Sequence, residues 1–169
     1  VSSFSSIQSF ISDNTESRTL GQLFNRKYYL TALYFSQLAY FELDKIEERL
    51  EELGALQISI YNNEGTQGYF AEFDDVAVVA FRGTQTNEKK DFKTSLVFWK
   101  RPFCGIKTHK GYADAIAALT DQIRDDLGEL NGKRVVYTGH SMGGALATLL
   151  ALVYRPTDIC TFGAPRVAA

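Results

Sequence analysis

Cysteine is almost missing from this chain: Cys104 and Cys160 are the only two in 169 residues. They lie far apart in unlike surroundings, one in a loop-like stretch and one in a strand-like run. Such a pair makes neither a disulfide framework nor the close spacing of a metal site, so neither a disulfide nor a cysteine metal site is expected. An excess of either charge is missing too, with 18 basic against 20 acidic side chains. Without a basic surplus there is no electrostatic footprint for a phosphate backbone, and no nucleic-acid partner is expected. The longest strongly apolar run, residues 142–154, is too short to cross a bilayer, so no transmembrane segment is expected. No charged stretch followed by an apolar core marks the N-terminus, and no internal repeat is visible. The chain begins on Val1, which leaves a removed leader open; secreted and cytoplasmic locations are not distinguished, and neither is the oligomeric state.

What is present is core-forming material. Apolar residues make up 45% of the chain and aromatic residues 13%, enough for one substantial core. The serine-rich start suggests a loosely ordered N-terminal lead-in over residues 1–25, followed by a single domain over 26–169. Leu30, Leu33, Tyr34, Leu38 and Phe41 recur at helical spacing within 26–42. Asp44 is placed to N-cap a second, charged helix through Glu52, which Gly54 closes. Three β-rich runs follow, 56–61, 68–73 and 76–81, separated by the turn residues 62–65 and 74–75, and they read as a meander. The second half alternates: a helix over 112–127, a strand over 135–138, a helix over 142–154 and a strand over 158–162. Strand alternating with helix predicts an α/β fold with a mainly parallel central sheet and helices on both faces.

Gly139-His140-Ser141-Met142-Gly143 fits the G-x-S-x-G nucleophile elbow. A bare match of this kind arises by chance in roughly one chain in twenty of this length, so the flanking strand and helix carry the assignment. A serine held between strand and helix must turn sharply, and side chains at Gly139 and Gly143 would collide with the adjoining elements. The turn lifts the Ser141 hydroxyl clear of the sheet. The positive end of the following helix then favours the negative charge that develops in acyl transfer, and the Met142 backbone N–H points into the same space as an oxyanion donor. A plain strand-to-helix connection with packing glycines would use the same residues, and the motif alone does not separate the two.

Four blocks now stand in order: Val79-Ala80-Phe81-Arg82-Gly83-Thr84, Thr108-His109-Lys110-Gly111-Tyr112, Tyr137 to Ala145, and Thr161-Phe162-Gly163-Ala164-Pro165-Arg166-Val167. In this order the chain resembles the class 3 lipases, triacylglycerol lipase-like α/β-hydrolases. The resemblance covers residues 79–167. It implies a carboxylic ester hydrolase acting on lipid or other ester substrates without a metal or cofactor, with Ser141 as nucleophile and Thr84 and Met142 forming the oxyanion hole. By the same resemblance His109 is structural, and His140 is bound into the elbow; neither is expected to be the base. The family places its catalytic acid and histidine beyond the Gly-Ala-Pro-Arg-Val block, so the domain is expected to lack its C-terminal part. Asp158 precedes its strand and is expected at the wrong end of the sheet, as a solvated turn residue.

In the fungal members an amphipathic lid follows the first oxyanion position. Here residues 85–90 have no apolar face, which argues against strong interfacial activation, while Phe92, Leu96, Phe98, Trp99 and Phe103 could line an acyl-binding mouth or belong to the core. The alternative to an ester hydrolase is a catalytically incomplete lipid-binding or interaction module on a hydrolase scaffold.

Overall fold

The computed structural model describes residues 4–83, 100–128, 130 and 132–168. Four helices come first: α1 (Phe4–Thr15), α2 (Leu20–Arg26), α3 (Tyr28–Leu38) and α4 (Leu43–Glu52). Strands β1 (Gln57–Asn63), β2 (Thr66–Glu72) and β3 (Val76–Phe81) follow, then β4 (Lys100–Phe103) and β5 (Ile106–His109). Helix α5 (Lys110–Leu127), strand β6 (Arg134–His140), helix α6 (Met142–Val153) and strand β7 (Asp158–Phe162) complete the described residues.

The central sheet has the order β1-β2-β3-β6-β7. Pairs β1–β2 and β2–β3 are antiparallel, whereas β3–β6 and β6–β7 are parallel. The expectation of a mainly parallel sheet is therefore corrected to a mixed one. The cause is local: β1 and β2 are joined by Glu64 and Gly65, with φ of 47° and 81°, the two left-handed residues of a tight hairpin. Such a turn reverses the chain, and only a helical crossover restores parallel pairing.

Side chains alternate across the sheet with period two. Tyr69, Ala71, Val76, Val78, Ala80 and Val136 face α1 to α4 in one buried cluster. Phe70, Ala77, Val79, Phe81 and Tyr137 face α5 and α6 in the other. All six residues of β3 are buried, as a central strand covered on both faces requires.

Within residues 1–25, expected as a loosely ordered lead-in, the described part holds α1 and all but the last residue of α2. Ile7 and Ile11, four residues apart and buried, give α1 an apolar face that its serines conceal in composition. Thr19 and Gln22 form a reciprocal capping box at the start of α2. Asp75, in the β2–β3 turn, accepts hydrogen bonds from the Thr19 hydroxyl and the Gly21 N–H, tying this helix to the sheet. At α4 the cap position belongs to Glu42, which makes no side-chain cap bond; Asp44 is the second helical residue, in the first turn, and accepts from the adjacent Lys45 N–H. The β4–β5 ribbon is turned by Cys104 and Gly105 at φ 46° and 81°. Both cysteines are free thiols, Cys104 exposed and Cys160 buried. Among the described residues no helix is long and apolar enough to cross a membrane.

Candidate active site

Strand β6 lies between β3 and β7, and at its carboxyl end the chain turns into α6 through Ser141. In open α/β sheets ligands bind beyond the carboxyl ends of the parallel strands, so this is the favoured edge for a site. Ser141 has φ 55° and ψ −126°, a left-handed conformation that costs a residue with a side chain about 1–3 kcal/mol. The surroundings hold it there. Its N–H donates to Phe162 O at 2.8 Å, and its carbonyl accepts from Gly144 N at 3.0 Å and Ala145 N at 3.3 Å.

The glycines are required by close approach rather than by freedom of rotation. A Cβ on Gly139 would stand 2.3 Å from the carbonyl carbon of Gly143 and 2.4 Å from its oxygen; one on Gly143 would stand 2.1 Å from Phe81 O. The first turn of α6 thus rests directly on the end of β3, which brings residues 81–83 beside the elbow. Gly144 is pressed likewise, with its Cβ position 2.8 Å from the Ala164 methyl and 3.0 Å from Gly139 O. This third glycine stands outside the G-x-S-x-G pattern, although the Gly143-Gly144 pair could have signalled it.

Met142 opens α6, where backbone N–H groups point out of the helix toward its N-terminal end. Twelve residues of α6 then direct a positive helix end at the serine. Thr84 lies outside the described residues, as do residues 85–90 and Phe92, Leu96, Phe98 and Trp99. The described residue before Thr84 is Gly83, and a Cβ there would sit 2.6 Å from His140 O. Phe103 is half-buried and packs against the α5–α6 cluster, a core position.

The chain's two histidines are both committed. His140 Nδ1 pairs with the Tyr40 hydroxyl at 2.8 Å, and the two rings lie 5.9 Å apart. His109 caps α5: its Nδ1 accepts from Gly111 N at 3.1 Å, which places the ring proton on Nε2. The Ser141 side chain makes no capping hydrogen bond. Asp158 opens β7, opposite Val136, at the far end of the sheet from Ser141. It is no solvated turn residue, because its Oδ2 accepts from Arg134 Nε at 2.6 Å.

Beside the elbow, a cavity of about 280 Å³ runs between the β1–β2 turn and α5. Met142, Leu146, Tyr112 and Ala115 supply apolar wall, and Glu64 and Asp114 stand among its polar groups. Burial raises the Tyr112 phenol above its ordinary range, so it is a neutral hydrogen-bonding group there. A cavity of about 410 Å³, lined by Arg18, Asp74 and Asp75 among others, opens at the opposite end of the sheet, remote from the serine. Among the described residues no group of histidine, cysteine and carboxylate side chains is arranged to hold a metal.

The family model for Lipase (class 3) matches residues 78–169, just over half of the chain. Among solved structures, the chain resembles the Rhizomucor miehei triacylglyceride lipase at 23% identity and a TM-score of 0.63, over 86% of this chain and 63% of that one. It resembles the Lip2 lipase of Yarrowia lipolytica at 14% identity and a TM-score of 0.62, over 85% and 61%. A fungal lipase in complex with an inhibitor aligns at 25% identity and a TM-score of 0.64, over 87% and 64%. The chain spans less than two thirds of the length of each of these lipases.

Proposed function

The chain belongs to the class 3 lipase family, and from that membership we propose that the whole protein is a serine hydrolase cleaving carboxylic ester bonds of lipid-like substrates. Ser141 Oγ attacks the ester carbonyl, a histidine other than His109 and His140 takes the hydroxyl proton and passes it to the departing oxygen, and the alcohol leaves. Water then cleaves the acyl-enzyme. The negative oxygen formed at each step is held by the backbone N–H groups of Met142 and Thr84, with the Thr84 hydroxyl assisting. The observation that carries this reading is the left-handed backbone at Ser141, held between a central strand and the positive end of a buried helix. Strain of that kind persists only where the surroundings impose it, and it concentrates at functional sites.

The commitment of both histidines, His140 to Tyr40 and His109 to the cap of α5, favours a second reading: a catalytically incomplete hydrolase scaffold that carries nucleophile and elbow, holds an ester or lipid and does not turn it over. The two readings divide on one experiment. The protein expressed from its whole natural reading frame is treated with a fluorophosphonate, and any adduct is located by peptide mass spectrometry. An adduct on Ser141 supports the hydrolase. A folded protein that stays unlabelled refutes it and leaves the binding scaffold.

A further inference from the structure

Tyr40 follows α3 and lies 100 positions before His140, yet its hydroxyl sits where two separate segments of the site meet. It bonds His140 Nδ1 at 2.8 Å. It also stands 2.1 Å from where a Cβ on Gly83 would be, and that same Cβ would lie 2.6 Å from the His140 carbonyl. Burial raises the phenol above its ordinary range, against a lowering contribution from the neighbouring Gly83 backbone. One hydroxyl therefore fastens the residue before Thr84 to the residue before Ser141.

We infer that Tyr40 is a positioning residue: it holds the backbone at Gly83 in register with the Ser141 elbow, on which the chemical step depends. This rests on the hydrolase reading of Ser141. The geometry explains the glycine at 83, because any side chain there would expel the hydroxyl, and it explains a histidine at 140 that is not the base. Oxyanion donors act only at the position the charged oxygen will occupy. Slack between the two segments therefore lowers the rate of the chemical step and leaves ester binding intact.

The test is Tyr40→Phe in the whole protein, which keeps the ring and removes one hydroxyl. The rate of fluorophosphonate labelling at Ser141 and kcat on p-nitrophenyl butyrate should both fall about tenfold, equivalent to roughly 1.4 kcal/mol. KM should stay within about twofold. His140→Ala, which removes the other end of the link, should cause a similar fall, and the double variant should be no slower than either single one, as a shared interaction requires. If wild type labels and both single variants label at its rate, the inference is overturned while the hydrolase reading stands. Additive losses in the double variant also overturn it. Should Tyr40→Phe fail to fold, His140→Ala decides alone: an unchanged rate rejects the link. A folded wild type that does not label removes the hydrolase reading, and the inference with it.

Discussion

Replacing Gly143 by alanine tests whether the elbow is held by backbone contact. The new Cβ would meet Phe81 O at 2.1 Å, Phe81 C at 2.7 Å and Arg82 C at 2.9 Å. All three are backbone atoms, and the nearest is more than 1 Å inside the 3.4 Å at which ordinary contact begins. No side chain can swing aside, so either α6 or the end of β3 must move by about that amount. Overpacking of this kind costs about 1–3 kcal/mol, which for a domain of this size lowers Tm by roughly 2–12 °C. A displacement near 1 Å at the reacting groups also costs about a hundredfold in rate. Thermal denaturation followed by circular dichroism reads the first effect, and the rate of fluorophosphonate labelling of the whole protein reads the second. Gly128→Ala is the control: its Cβ lies 3.4 Å from Arg124 O and 3.5 Å from Asp125 O, and its φ of −67° is ordinary helix. That substitution should be neutral or stabilise by up to about 1 kcal/mol. If Gly143→Ala keeps the wild-type Tm, the close-contact account of the elbow is wrong.

Three further outcomes follow from the same structure. Asp126 accepts from the Tyr61 hydroxyl at 2.7 Å and from the Ser59 hydroxyl at 2.6 Å, so Asp126→Ala strands a buried phenol and should cost about 1–3 kcal/mol in urea denaturation; a loss under 0.5 kcal/mol would reject that bond. Burial pushes the phenols of Tyr28 and Tyr34 up to about 12, so above the ordinary value of 10 the unfolded chain releases protons that the folded one keeps. Stability should therefore be full below pH 10 and decline as pH rises toward 12, and urea midpoints that do not fall over that window would contradict it. With Cys104 exposed and Cys160 buried, and burial raising the Cys160 thiol, a disulfide reagent should titrate one thiol promptly in native protein and the second only in denaturant; two prompt thiols would place Cys160 wrongly.

The parts of the fold that the sequence made legible are those whose periodicity is governed by burial. Strand β3 is apolar throughout because it is covered on both faces, helix α6 is mostly apolar over its buried stretch from Gly143 to Leu150 and leaves Leu152 exposed, and the turn at Glu64-Gly65 is announced by its glycine. The N-terminal helices were hidden because Ile7 and Ile11 are diluted by serines, and a composition reading counts the serines. The β4–β5 ribbon was hidden because Lys100, Arg101 and Pro102 are poor strand formers, and what holds them is a hairpin that Cys104-Gly105 closes without the usual asparagine. At the site, Ser141 and its glycines follow from local spacing. Tyr40 does not, since nothing nearby in the chain refers to His140; only the packing of α3 over the sheet brings them together. Asp158 was placed at the correct end of the sheet but given to solvent, because its partner Arg134 is found only once β6 and β7 are paired.

The mixed sheet also orders events in time. Strands β1, β2 and β3 close through short reversals and can form from local contacts alone. The β3–β6 pairing joins Val76 to Arg134 and Phe81 to Gly139, and bringing such distant partners together carries a loop-closure cost that hairpins avoid. The elbow thus depends on a pairing of high sequence separation: residues 57–81 are made before residues 134–141, and the strained serine needs β6 docked beside β3. A defect in the meander should therefore be felt at the serine, whereas a defect in the elbow leaves the meander able to form.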